Sequence, residues 1–248
     1  MPRNEGRKAR DMRPMKIVRN CMMYAEGSAR VEMGNTIVIC TASLEYRVPQ
    51  FLRGTGKGWV TAEYSMLPRS TQERINRESS IGRQGGRTLE IQRLIGRSLR
   101  AVTDLEALDE YTLWIDCDVI QADGGTRTAA INGAYVALHD AFRGMVENRK
   151  LKELPLSDFV AAVSVGMVDE RPLLDLDFEE DSRADVDMNV VMTGDERLIE
   201  IQGTAEKKAF TRGELDEMLQ LAQEGIQKMI DLQKRVLMSE NGIAASGD

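Results

Sequence analysis

The chain predicts an α+β fold: a single domain, residues 1–238, of mixed β-sheets with packed helices. Two observations carry this. Strand-like and helix-like periodicities follow one another as strands, helix, strand, helix, strands, helix, without a regular β-α repeat and without a linker or low-complexity block. In addition, 42% of the 248 residues are apolar, enough to build a substantial core.

Residues 14–44 read as a meander of strands joined by tight turns. Within Val31–Thr41, Gly34-Asn35 tolerates positive φ and precedes a β-branched run, which is a hairpin signal. Residues 46–86 are polar and rich in glycine and arginine. A segment this long inside a compact domain is expected to be functional or mobile. From Arg87 to about Val102, Ile91, Leu94, Ile95, Leu99 and Val102 recur at helical spacing, with Arg93, Arg97 and Arg100 on the other side as a solvated face or an oligomer contact. Tyr111–Ile120 is a strand, and a helix runs from Thr126 to about Met145 directly after Gly124-Gly125. Residues 158–168, Leu173–Phe178, Asp185–Met192 and Leu198–Thr204 read as further strands. Thr211-x-x-Glu214 is a capping box opening a helix that reaches about Leu237. The small, polar segment 239–248 is expected to be a disordered tail.

The formal net charge is −7, yet the charges are segregated. Residues 3–19 and 69–100 are basic, whereas 169–187 hold nine acidic residues against Arg171 and Arg183. Such segregation makes separate local fields, so net acidity does not exclude a polyanionic substrate. No stretch approaches the roughly 20 apolar residues that span a bilayer. The expectation is a soluble, cytoplasmic protein with no membrane partner. Cys21, Cys40 and Cys117 are widely spaced and read as free thiols.

Two segments carry the chemistry. In Asp123-Gly-Gly-Thr-Arg-Thr128 a Gly-Gly turn enters a helix, leaving unpaired N–H groups at the positive end of the dipole, with the Thr126 hydroxyl and Arg127 guanidinium alongside. This is either an anion site or an ordinary helix start with a surface arginine. In the second segment, Asp185, Asp187 and Asn189 share one strand face, as do Asp175 and Asp177 in the preceding strand. If these strands pair through a turn at 179–184, several carboxylates converge, and hard oxygen ligands of this kind suit magnesium or manganese. A solvated acidic hairpin is the alternative. Arg69, Arg74, Arg77, Arg83 and Arg87 lie in or beside the polar loop without apolar periodicity, which suits phosphate-backbone contact. Arg87, after Gly85-Gly86 at a helix start, is the best single ligand for a bound phosphate. His139 reads as structural. No Ser/His/Asp set and no P-loop is present.

Arg87–Arg97, Ile115–Thr128, Gly58–Pro68 and Glu179–Met192 resemble the corresponding segments of the bacterial ribonuclease PH family, and the resemblance runs from about Arg7 to about Leu237. It implies a fold like domain 2 of a small-subunit ribosomal protein and a homohexamer built as a trimer of dimers. The implied activity is phosphorolytic 3′-to-5′ trimming of tRNA precursors, in which inorganic phosphate is co-substrate, nucleoside diphosphates are released and the reverse reaction extends RNA. By the same resemblance, Arg87, Gly125, Thr126 and Arg127 hold phosphate. Asp181 and Asp187 form the catalytic and metal site with Asp185 nearby, Asp187 acting as metal ligand or proton donor, and Arg69, Arg74 and Arg77 face RNA. A metal-dependent hydrolase releasing monophosphates and a non-catalytic RNA-binding ring subunit are the alternatives.

Overall fold

The computed structural model of the chain describes residues 3–239 and 242–246. The expected meander is present as β1 (Met15–Arg19), β2 (Gly27–Met33) and β3 (Thr36–Glu45), with Ile17, Ala29, Val31, Val38, Cys40 and Ala42 turned inward by the period of two. Gly34 takes φ 54° at the β2–β3 turn, and a Cβ there would lie 2.7 Å from Arg13 Cδ.

The segment 46–86, expected to be a loop, contains a strand. β4 (Trp59–Met66) pairs in parallel with β5 (Thr112–Gln121), and α2 (Gly86–Arg100) connects them. Val60, Ala62 and Tyr64 alternate inward, a period-two signal masked by the flanking glycines. The remainder of that segment is irregular apart from a 3-10 turn at Gln50–Leu52 and the single-turn α1 (Glu78–Ile81).

The second sheet is antiparallel, in the order β7 (Arg171–Leu174), β6 (Val160–Val168), β8 (Val186–Thr193), β9 (Leu198–Ala205). Helices α2, α3 (Thr126–Glu147) and α5 (Arg212–Met238) lie between the two sheets, each touching strands of both. This placement explains why α3 is apolar on nearly every face. It also explains Gly27 on the facing strand, where a Cβ would come within 2.0 Å of Ala137 O. The Thr211–Glu214 capping box of α5 forms as expected, and one continuous core runs from Met15 to Ala244.

Two expectations are corrected. The strand expected at Leu173–Phe178 ends at Leu174, because Asp175 turns the chain with φ 55° and Phe178–Arg183 is a short helix, α4. Asp175 and Asp177 therefore do not face a metal hairpin. Part of the expected disordered tail forms β10 (Ile243–Ala245) against the free edge of β1. Backbone pairing at an edge needs no apolar sequence, and Ala244 gains burial there.

Candidate active site

Gly124 and Gly125 adopt φ 76° and 66°, which brings the chain into α3 with Gly125 as its N-cap residue. Among the described residues no side chain caps this helix, and its first intrahelical bond runs from Ala129 N–H to Gly125 O. The N–H groups of the first turn are thus left for an external acceptor at the positive end of a 22-residue dipole. The loop is held from below. Arg13 donates to Asp123 O, the Thr36 hydroxyl donates to Gly124 O at 2.7 Å, and Arg13 is fixed by Asp175 at 2.6 and 3.0 Å. A Cβ on Gly124 would lie 2.6 Å from Leu176 O and from Asp177 C, so the loop packs directly on the entry to α4.

That entry positions the carboxylates. Asp177 and Glu180 form a capping box around α4, and Arg3 and Arg7 pair with Glu180 and Asp177 at 2.7–3.2 Å. Burial alone would raise Asp177, but the Glu180 N–H, Asn4, Arg7 and Arg13 outweigh it and hold its pKa below the usual value. α4 then presents Asp181 toward Asp187 of β8, close enough for the two carboxyls to share a hydrogen bond. Burial and the Asp181 charge push Asp187 up to about 6, with Arg127 and Arg87 acting in the opposite direction. Asp181 is raised by burial and lowered by the same two arginines. The four side chains therefore occupy one electrostatic site.

Asp185 is placed differently. It precedes β8 and lines a separate small hollow with Met167, Glu170, Lys208, Phe210 and Glu214, because the strand begins one residue later than the periodicity suggests. Among the described residues there is no group of three or more His, Cys, Asp or Glu side chains that could hold a metal ion. The Asp181–Asp187 pair nonetheless fits magnesium, which commonly takes one or two protein carboxylates and completes its shell with water and substrate phosphate. Two carboxyls raised by burial, one of them further by its neighbour's charge, are what a cation would relieve.

Arg127 is aimed by Glu90 and Gln202, at 3.1 and 2.8 Å from Nη1, while Arg87 is exposed on the first turn of α2 with no hydrogen bond among the described residues. Arg87 also lines a cleft of about 1060 Å³. Arg74, Arg77 and Arg83 line it as well, and Glu63, Asp116 and Asp118 lie on its β4–β5 side. Burial raises Asp116 and Asp118, and Arg77 partly offsets this at Asp118. Arg69 is exposed in the turn after β4 but is not among the lining residues. The α2 arginines Arg97 and Arg100 are structural: Arg97 forks onto Glu200 at 2.6 and 2.8 Å, and Arg100 stacks 4.3 Å from the Trp59 ring centre. Sequence reasoning missed Arg13, which props the loop, and Glu90 and Gln202, which aim Arg127, and it gave Asp175 a metal-facing role where the structure has it fixing Arg13; none of these carries a local signal.

Residues 11–143 match domain 1 of the 3′ exoribonuclease family and residues 158–225 match its domain 2. The chain belongs to the 3′ exoribonuclease family. It is 60% identical over 237 residues to a ribonuclease PH of Moorella thermoacetica, covering 96% of this chain and 95% of that protein. Identity to the ribonuclease PH of Syntrophomonas wolfei is 58%, covering 96% and 99%. The fold also matches a chain of the Archaeoglobus fulgidus exosome with RNA bound to the active site, with a TM-score of 0.78, 22% identity and coverage of 92% and 91%. The α+β exoribonuclease fold and RNA chemistry expected from the resemblance are those of the family. No helix among the described residues is long and apolar enough to cross a membrane.

Proposed function

We infer that this chain is a phosphorolytic 3′-to-5′ exoribonuclease acting on tRNA precursors, with inorganic phosphate as nucleophile. The observation that carries this reading is the convergence of an uncapped helix start, two arginines and a pair of raised carboxyls. Phosphate and a phosphodiester repel each other, so their approach needs positive charge on one and neutralisation of the other. The first-turn N–H groups of α3, the Thr126 hydroxyl, Arg127 and Arg87 hold the nucleophile. A phosphate oxygen attacks the terminal phosphorus, the bond to the 3′ oxygen of the penultimate nucleotide breaks, and that oxygen takes up a proton. The products are a nucleoside diphosphate and an RNA one residue shorter. Asp181 and Asp187 would hold magnesium or manganese, which supplies charge neutralisation at the scissile phosphate when bound. Asp185 joins the backbone that fixes this corner, since its N–H donates to Met167 O and its carbonyl accepts from Glu206 N–H.

Arg74 and Arg77 guide the RNA through the cleft, and Arg69 extends the basic rim. The chain works in the cytoplasm as a homohexameric trimer of dimers, which would cover exposed apolar residues such as Leu89, Leu198 and Ile201. Light scattering gives the mass that checks this. The decisive experiment incubates the protein with a 3′-extended tRNA and magnesium, with and without phosphate. Nucleoside diphosphates released only with phosphate are expected, and monophosphates released without it would overturn the reading.

A further inference from the structure

Tyr64 lies on β4, is 3% exposed, and its hydroxyl donates to Thr126 Oγ1 at 2.9 Å. Thr126 is 6% exposed at the first position of α3. A threonine hydroxyl has one proton and two lone pairs, and its rotor is otherwise free to present either. Here the phenol occupies a lone pair, and among the described residues the Thr126 hydroxyl donates to no protein acceptor. Thr126 and Arg127 are consecutive at the start of α3, and Tyr64 and Arg87 line one cleft, so the bond lies beside both cations.

We propose that Tyr64 is a positioning residue for the nucleophile: by donating to Thr126 Oγ1 it fixes the Thr126 hydroxyl as a hydrogen-bond donor toward bound inorganic phosphate. This rests on the reading of the α3 start as the phosphate site. The phenol never touches the anion. It excludes the rotamer in which Thr126 would turn a lone pair toward an oxyanion, a repulsive contact. It also keeps Thr126 from bonding back to the helix, the usual competing use of such a hydroxyl. Because Tyr64 also lines the arginine cleft, it joins the nucleophile site to the side on which RNA would lie.

The test uses the full-length enzyme with a 3′-extended tRNA, magnesium and varied inorganic phosphate, comparing wild type, Tyr64→Phe, Thr126→Val, Thr126→Ser and the Tyr64→Phe/Thr126→Val double variant. Tyr64→Phe is expected to raise KM for phosphate about threefold to tenfold, the scale of one hydrogen bond, while KM for RNA and kcat at saturating phosphate stay within about twofold. In the Thr126→Val background the same change has no further effect on phosphate KM, which a general packing role would not produce. An unchanged phosphate KM in Tyr64→Phe, or an equal rise in both backgrounds, overturns the proposal. Should Tyr64→Phe fail to fold, Thr126→Ser against Thr126→Val decides. Serine keeps the held hydroxyl and is expected to keep the wild-type phosphate KM, and equal losses in both variants overturn the proposal. A wild type that releases nucleotides without phosphate overturns the phosphate reading itself, whereas a phosphate-dependent wild type with an indifferent Tyr64 overturns only the positioning role.

Discussion

Arg3, Arg7, Arg13 and Arg19 end on buried or nearly buried carboxylates, whereas Arg69, Arg74, Arg77, Arg83 and Arg87 are exposed in or beside the loop that follows β4. In sequence the two stretches look alike, since both are basic runs in polar surroundings. What separates them is where their partners lie. Glu180, Asp177, Asp175 and Asp140 are 121 to 177 residues away from the N-terminal arginines and reach them only through the fold. The N-terminal run is therefore not a field for substrate. Arg3, Arg7 and Arg13 are struts that fix α4 and the Gly124-Gly125 loop, and Arg19 ties Asp140 of α3 to the end of α5, while the arginines of the later run are exposed.

The largest effect that would break this contrast is expected at Arg13. Arg13→Met takes the nearest guanidinium from Asp175, which is 0% exposed and keeps only Arg7 at 4.0 Å and the backbone N–H of residue 13, and it removes the prop under Asp123. Loss of one member of a buried pair costs about 3–5 kcal/mol, whereas Arg83→Met should cost no more than about 0.5 kcal/mol. Urea unfolding of both variants reads the difference, and comparable midpoints would erase the distinction between struts and free charge.

Arg87→Ala comes next, and its effect should fall on catalysis alone. The guanidinium has no protein hydrogen bond among the described residues, so stability should stay within about 0.5 kcal/mol. If Arg87 holds the reacting phosphate as proposed, its loss should lower kcat/KM for phosphate about a hundredfold. Normal phosphate dependence in this variant would remove Arg87 from the site.

A third test sits where the two regions meet, at the carboxyls that the struts position and the free arginines face. In metal-free protein Asp187 titrates near 6, above the ordinary 3.8, so the native state binds its proton more tightly than the unfolded chain does. Stability from this group is therefore greatest at low pH and falls as pH rises from about 4 through about 6. Asp187→Asn should remove that fall and be the more stable protein at pH 7 by up to about 3 kcal/mol, while being inactive. Urea midpoints in chelator at pH 4 to 7 check it, and parallel curves for the two proteins would contradict the raised pKa.

Apolar period placed most elements in order but not β4, α4 or β10, and the Gly-Gly entry to α3 was readable because glycine in that position needs no tertiary partner to be recognised. Strand period placed Asp187 on β8 and the glycine pair placed Arg87 at the start of α2, which is where both stand. Three features stayed hidden, one through local composition and two through contacts distant in sequence. β4 was obscured because the surrounding Gly and Arg residues set the local composition even though Val60, Ala62 and Tyr64 alternate. The strand expected through Asp175 was broken by a buried ion pair to Arg13, a contact 162 residues away in sequence. Asp181 could not be placed by period, since it lies on a one-and-a-half-turn helix whose existence depends on its cap and on Arg3 and Arg7. Pattern within an element is visible locally, and what aims a side chain across elements is not.

The smallest effect is the most direct probe of the free arginines. Arg74 and Arg77 are exposed and line the cleft, and Arg74 donates to the nearby Asn76 side chain at 3.1 Å. Replacing both with alanine removes no buried contact, so unfolding should be unchanged within about 0.5 kcal/mol. If each guanidinium neutralises one RNA phosphate, the double variant releases about two fewer counterions, and the slope of log affinity against log salt should become shallower by about 1 to 2. On the proposed reading Arg87, Arg127 and the start of α3 hold the nucleophile, so KM for phosphate should stay near the wild-type value. Filter binding of a 3′-extended tRNA across a salt series measures the slope. A shallower slope with unaltered phosphate KM would separate the charges that gather RNA from those that hold the nucleophile, while an unaltered slope would mean that RNA takes another path across the surface and that the cleft arginines are merely solvated.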